Sequence, residues 1–447
     1  MKRQLLLRLV LGGLAICSFS ELVNAQSREE VYSETLRPYT AEADSSQVGA
    51  AVVDRSSLVG KVMCGYQGWF NAPGDGADRG WVHWNKRAQK IEDGTASFDL
   101  WPDMSEYSKE ERFETRFKLQ SGETATLFSS FKEATVLRHF QWMQEYGIDG
   151  VFVQRFATDL RDPKTLRHNN VVLNSCRKGA NQYGRAYALM YDLSGLGKGE
   201  TQMVIDDWKQ LQSQMKLTSD SAYLKHAGKP IVALWGIGFN DNRKYTVEEC
   251  KRLVEFFHDE AQAGTCSLML GIPTYWREQK ADSLNDPMLY EIYSQADVLS
   301  PWSVGRFGEI EDAKRYHEET IAKDVAWCRE RQIELMPVAF PGFSWHNMQR
   351  NAKLDQIPRR KGEFLWAQFL GAKKAGASML YIAMFDEVDE GTAIFKCIND
   401  APQGQQSKFV TYEGLPSDFY LKLTGVGTRW FRGENNLKDP SKVPVEK

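Results

Sequence analysis

Four carboxylates fall within five residues in Asp386-Glu387-Val388-Asp389-Glu390, directly after the apolar run Met379-Leu380-Tyr381-Ile382-Ala383-Met384. Carboxyl groups this close raise one another's proton affinity, so one can stay protonated near neutral pH beside an ionised neighbour. Cleavage of an acetal needs such a pair: one carboxyl protonates the leaving oxygen, and a second group supplies or activates the nucleophile. Solvated acidic turns and calcium loops draw on the same residues. What separates these readings is where the segment sits in the fold.

Eight short apolar runs recur along the chain, at 61–69, 150–156, 186–192, 230–235, 267–275, 297–302, 334–340 and 378–385. Stretches with apolar residues three and four apart lie between them, at 131–146, 203–215, 246–263, 313–331 and 362–375, and these predict helices. Gly147, Gly228 and Gly376 punctuate the passage from helix to strand, where a positive φ is wanted. Near-continuous apolar strands alternating with helices mean a parallel sheet covered on both faces. Eight such units predict a closed (β/α)8 TIM barrel, and no Gly-x-Gly-x-x-Gly follows the first strand to favour an open dinucleotide-binding sheet. The expected organisation is a signal peptide at 1–25, a polar lead-in at 26–58, the barrel at 59–435 and a polar tail at 436–447.

Barrels of this kind carry their chemistry at the carboxyl ends of the strands, which places the acidic segment in a candidate site with Glu387 and Glu390 as the acid/base pair. The other strand ends are polar and aromatic. Candidate substrate contacts are Tyr66 and Trp69, with Gln67 beside them; Gln154 and Arg155; Asp192; Trp235; Tyr275, Trp276 and Arg277; Trp302; Trp345 and His346; and Asp386. Several of these have a structural alternative: Asp192 suits a turn through Leu193-Ser194-Gly195, the two arginines suit ion pairs, and each Trp suits the core. The irregular interval 71–131 follows the first strand and is expected to roof the site.

A net charge of -3, with Arg359-Arg360-Lys361 as the only basic cluster, argues against a nucleic-acid partner. Thirteen Trp without such clustering point instead to a carbohydrate, whose apolar faces stack on aromatic planes. Met1-Lys2-Arg3, an apolar run from Leu5 to Phe19 and Val23-Asn24-Ala25 before Gln26 predict an exported protein, periplasmic or extracellular. Lipid anchoring is disfavoured by Ile16 before Cys17, and the run is shorter than the ~20 apolar residues a membrane span takes. Cys64, Cys176, Cys250, Cys266, Cys328 and Cys397 form no C-x-x-C pair, so neither a metal nor another cofactor is expected. Cys250 and Cys266 are the nearest pair that a disulfide would join, buried free thiols being the alternative. A metal-dependent hydrolase would have to draw oxygen ligands from Asp192, Asp386 and Asp389.

The segment Glu387-Val388-Asp389-Glu390-Gly391-Thr392 resembles the Glu-x-x-Glu-Gly-Thr signature of glycoside hydrolase family 99, the endo-α-mannosidases. Cys64-Gly65-Tyr66-Gln67-Gly68-Trp69-Phe70 is similar to that family's aromatic first strand, and the element order from about 59 to 431 resembles bacterial family 71/99-like proteins. The resemblance implies a glycoside hydrolase in which Glu387 deprotonates the sugar's own 2-hydroxyl, giving an epoxide-like intermediate with retention, while Glu390 serves as acid and then base. Where the family has Trp-His between the two acids, this chain has Val388-Asp389. A xylosidase or arabinosidase of the same fold, and a non-catalytic carbohydrate-binding barrel, stand as alternatives.

Overall fold

The computed structural model describes residues 26–39, 52–85, 89–349 and 351–446. The expected signal peptide at 1–25 lies outside the described residues. Each apolar run becomes a strand: β1 (Val62–Tyr66), β2 (Gly150–Phe156), β3 (Ala186–Asp192), β4 (Lys229–Trp235), β5 (Ser267–Ile272), β6 (Val298–Pro301), β7 in two pieces (Glu334–Leu335 and Val338–Ala339) and β8 (Leu380–Ile382). All are parallel and pair in chain order from β1 to the first piece of β7. The second piece of β7 pairs with β8, and β8 with β1. The ring therefore closes through β7, as the eight-unit pattern predicts.

The handover inside β7 has a local cause. Met336 still donates its amide to Leu299 of β6, whereas Pro337 has no N–H to give and instead offers its carbonyl to Tyr381 of β8. A single proline thus turns the strand from one neighbour to the next.

Helices cover the ring: α1 (Arg28–Thr35) before the first strand, then α2 (Glu133–Tyr146), α3 (Pro163–Gln182), α4 (Gln202–Gln210), α5 (Val247–His258), α6 (Met288–Tyr293), α7 (Ile310–Tyr316), α8 (Ala322–Glu330), α9 (Glu363–Lys374) and α10 (Phe419–Phe431). Their starts are written locally. Asp162 caps α3 ahead of Pro163, and Thr246 with Glu249 forms a capping box on α5. Gly147, Gly228 and Gly376 adopt φ of 77°, 77° and 86° at the helix-to-strand turns.

The 26–58 segment is more than a polar lead-in. Its helix α1 buries Val31 and Tyr32, and the Tyr32 hydroxyl donates to Asp207 at 2.7 Å. An eight-residue helix with two core-facing residues carries no sustained apolar period, so the sequence pattern hides it. The terminal segment likewise returns to the fold, with Pro440 accepting from the Trp366 indole and Val443 and Val445 packed on the core. The six cysteines from Cys64 to Cys397 are buried free thiols, so Cys250 and Cys266 are not bridged. No helix among the described residues is long and apolar enough to cross a membrane.

Candidate active site

At the carboxyl ends of the strands lies a cavity of about 1080 Å³. Its walls include Gln67 and Trp69 after β1, Gln154 and Phe156 of β2, Asp192 and Ser194 at β3, Trp235 of β4, Trp302 after β6, Met348 after β7, and Met384, Glu387, Asp389 and Glu390 after β8. The 71–131 interval supplies the roof, contributing Arg79, Trp81, His83, Asn85, Gln89 and Ser97. That roof has an aromatic core of its own: Trp84 packs on Phe70 and Phe98, Phe98 packs on Trp101, and the Trp84 indole donates to Phe128. That core is tied to the barrel as well, since Asp99 and Leu100 give their amides to the Val388 carbonyl.

The acidic segment is laced to β1. Asp386 is fully buried, one carboxylate oxygen accepting from the backbone amide of Gln67 and the other from that of Gly68, both at 2.8 Å. Its neighbour Glu387 turns the other way. One Glu387 oxygen accepts from the Gln67 amide group at 2.7 Å and the other from the Thr392 hydroxyl at 2.6 Å. Behind the turn, the buried Arg359 guanidinium donates to the carbonyls of Gly391 and Ala393 and rests against the rings of both Tyr412 and Tyr420. The basic cluster is therefore in part a fastening for the acidic segment. Gly391 has φ of 65°, and a β-carbon there would sit 2.9 Å from the Ser344 nitrogen, so only glycine lets the turn approach the β7 connection.

Burial and the charge of Asp389 push the Glu387 carboxyl up to about 8, against the hydrogen bonds from Thr392 and Gln67. Asp192 is raised to about 6 by burial, opposed by its hydrogen bonds from Ser194. Below them Tyr381 accepts from Gln154 at 2.8 Å, in space that Gly65 leaves open: a β-carbon there would lie 2.2 Å from the Tyr381 oxygen.

The predicted site residues divide by position in the pleat. Successive side chains of a strand point to opposite faces, so only one of two adjacent polar residues at a strand end can reach the cavity. Gln154 does, whereas Arg155 is 1% exposed and holds Asp207 through two hydrogen bonds, a third going to Asn170. Gln67 does, whereas the fully buried Tyr66 hydroxyl is hydrogen-bonded with His139 at 2.8 Å. Asp192 does, while the preceding Tyr191 donates to Asp207. Beyond the end of β8 at Ile382 it is the turn, and not the pleat, that sends Glu387 to the cavity and Asp386 to the β1 backbone. Arg155, Tyr66 and Asp386 are accordingly corrected from substrate contacts to buried supports.

Residues past the strand ends were misplaced for a different reason. The 267–275 run ends as a strand at Ile272, so Tyr275, Trp276 and Arg277 belong to the following connection. Trp276 is buried against Tyr293 and Trp327, Arg277 pairs with Asp324 at 2.7 Å, and Tyr275 stands under the Lys280 ammonium. Trp345 packs on Phe343, and His346 gives its amide to Asp99 and its imidazole to the Ala352 carbonyl. None of these five lines the cavity; Trp69, Trp235 and Trp302 do, with Trp235 edge-on to Trp302 at 5.4 Å.

His83 is the residue the sequence reading missed. Its ring lies flat on Trp69, 3.8 Å between centroids at 3°, and its Nδ1 is 2.9 Å from Asp389. A single histidine in an aperiodic segment carries no signal of this; its one clue is membership of the predicted roof.

No protein-family model matches the chain, and no match is found among curated proteins. Among solved structures the fold is similar to the family GH99 endo-α-mannosidase of Bacteroides thetaiotaomicron, with a TM-score of 0.60 and 14% identity over 84% of this chain and 99% of that one. A complex of that enzyme with bis-tris propane gives 0.59 and 15% over the same shares. The likeness is one of fold, a TIM barrel of the GH99 type.

Proposed function

Taking a barrel of the family 99 type as the premise, we propose that this chain is a glycoside hydrolase acting on a polysaccharide or glycan, with Glu387 as base and Glu390 as acid and then base. One observation carries the reading. Two glutamates three residues apart both line a large cavity at the carboxyl ends of the strands, walled by Trp69, Trp81, Trp235 and Trp302. At about 1080 Å³ the cavity lies at the upper end for small-molecule sites and has room for more than one sugar ring.

The geometry supports a division of labour. Glu387 is clamped by one donor on each oxygen and made more basic by burial and by Asp389. A carboxylate with that proton affinity is better matched to a sugar hydroxyl than an ordinary one. Removing the proton from the 2-hydroxyl lets that oxygen displace the leaving group at the anomeric carbon, while Glu390 protonates the departing oxygen. Water then opens the strained ring with Glu390 as base while Glu387 returns its proton to the 2-oxygen, and two inversions give net retention. A 2-hydroxyl trans to the leaving group is required, and α-mannosides provide it; an endo-α-mannosidase shares the fold. The reading also takes the protein to be exported, and a purified mature chain starting near Gln26 is its expected sign.

The test is a panel of α-mannans, other polysaccharides and aryl glycosides, with product configuration followed by NMR. Retained configuration on an α-mannoside and no turnover of the 2-deoxy analogue are expected. Glu387→Gln and Glu390→Gln should each lower kcat/KM by about 10²–10⁴. Full activity in both variants overturns the assignment, and sugar binding without turnover by the wild type makes the chain a binding barrel.

A further inference from the structure

Asp389 stands between the two glutamates, and across the cavity a roof residue reaches down to it. The His83 Nδ1 lies 2.9 Å from an Asp389 carboxylate oxygen, the two side chains being 33% and 1% exposed. The imidazole is held from its face by Trp69, stacked at 3.8 Å, and from its edge by Phe70. Its backbone is fixed as well. The His83 carbonyl accepts from the Ser97 hydroxyl at 2.8 Å, and Ser97 gives its amide to the Trp84 carbonyl next along. His83 has φ of 62°, a left-handed conformation that a residue with a β-carbon keeps only where its surroundings impose it. Contacts on the ring, the carbonyl and the charged edge together aim one side chain at one carboxylate.

We propose that His83 and Asp389 are a positioning dyad that sets the charge on Glu387, His83 acting only through Asp389. The proposal rests on the reading of Glu387 as the base. An imidazole on the carboxylate lowers the negative charge that Asp389 presents to Glu387, two positions away on the same turn. After burial, the charge of Asp389 contributes most to driving the Glu387 carboxyl upward, so the state of the dyad is felt there. The other ionisable groups around the cavity are Asp386, Glu390 and Tyr381 on or below the acidic segment, Asp192 from β3 and Arg79 from the roof; His168 lies on α3 behind. His83 is hydrogen-bonded to Asp389 from the roof side of the cavity.

The dyad makes a prediction of sign that a merely structural role does not. In His83→Asn, Asp389 keeps its full charge, so Glu387 ionises at higher pH. Asparagine is chosen because it accepts a left-handed backbone. In Asp389→Asn the repelling charge is gone, and Glu387 ionises at lower pH. Each displacement should be about one pH unit, and the double variant should match Asp389→Asn alone, because His83 then has nothing to act through.

Two readouts are used on the full chain: the acidic limb of kcat/KM against pH, and carbon-13 titration of labelled glutamate carboxyls, with Glu387→Gln assigning the resonance. Thermal unfolding at fixed pH checks that each variant is folded. Opposite displacements of the Glu387 titration, with the double variant at the Asp389→Asn value, support the dyad. Displacements of the same sign, no displacement, or a further effect of His83→Asn in the double variant overturn it. Should Glu387→Gln retain activity while the carbon titration splits as expected, the catalytic reading fails and the dyad stands.

Discussion

Glu387 holds its proton far longer in the folded chain than in the unfolded one, and this makes Glu387→Gln a test of stability as well as of catalysis. The folded carboxyl titrates at about 8, against 4.5 when unperturbed. Below pH 4.5 both states carry the proton and folding is not penalised. Between the two values the unfolded chain has released a proton that the folded one keeps, so stability falls as pH rises, and the loss is complete above about 8. A difference of that size corresponds to about 5 kcal/mol at ~1.4 kcal/mol per pH unit. Glutamine mimics the protonated acid: its oxygen accepts from Gln67, and its amide donates to the Thr392 hydroxyl, which rotates to accept. Urea unfolding followed by tryptophan fluorescence should therefore find wild type and variant alike near pH 4.5, and the glutamine variant more stable by up to about 5 kcal/mol at pH 9. An unchanged difference across that range, or a wild type that gains stability with pH, refutes the argument.

Other substitutions probe the frame around the site. Asp207 accepts hydrogen bonds from Arg155, Tyr191 and Tyr32, so Asp207→Asn leaves the buried Arg155 without its charge partner and should cost about 3–5 kcal/mol in urea unfolding. Gly391→Ala puts a β-carbon 2.9 Å from the Ser344 nitrogen at a positive φ, and should lower stability by about 1–2 kcal/mol and reduce turnover by shifting Glu390. Trp235→Ala removes one aromatic wall and should raise KM about tenfold, a loss of ~1.4 kcal/mol in binding, with kcat less affected. Because the six thiols from Cys64 to Cys397 are free, a reductant should leave the Tm unchanged in differential scanning calorimetry.

Period and punctuation carry most of the barrel. Residues 186–192 read as a strand because the entire run is apolar or aromatic up to Asp192, and a strand covered on both faces needs no alternation. The acidic segment was legible for a similar reason: it follows an apolar run that reads as a strand, and chain direction puts its carboxyl end on the face that holds the cavity. By contrast α1 escaped notice, because two buried residues in eight make no pattern. The irregular 71–131 interval showed its place but not its contents. Its hairpin, Phe113–Lys118 with Thr124–Leu127, is short, and its core is assembled from aromatic residues far apart in the chain.

Composition, spacing and order by themselves determined that strands and helices alternate, that the carboxyl ends are polar and aromatic, and that Glu387 and Glu390 stand together at the last of them. Tertiary structure decided which residue of each adjacent pair faces the cavity: Gln154 and not Arg155, Gln67 and not Tyr66, Glu387 and not Asp386. Within β2 that choice depends on the parity of the pleat, and past the ends of β1 and β8 on how the turns pack against each other, neither of which a single run reveals. It also decided that His83 meets Asp389 across 306 residues, since such a contact is fixed by how the roof packs on the barrel and by nothing local to either residue.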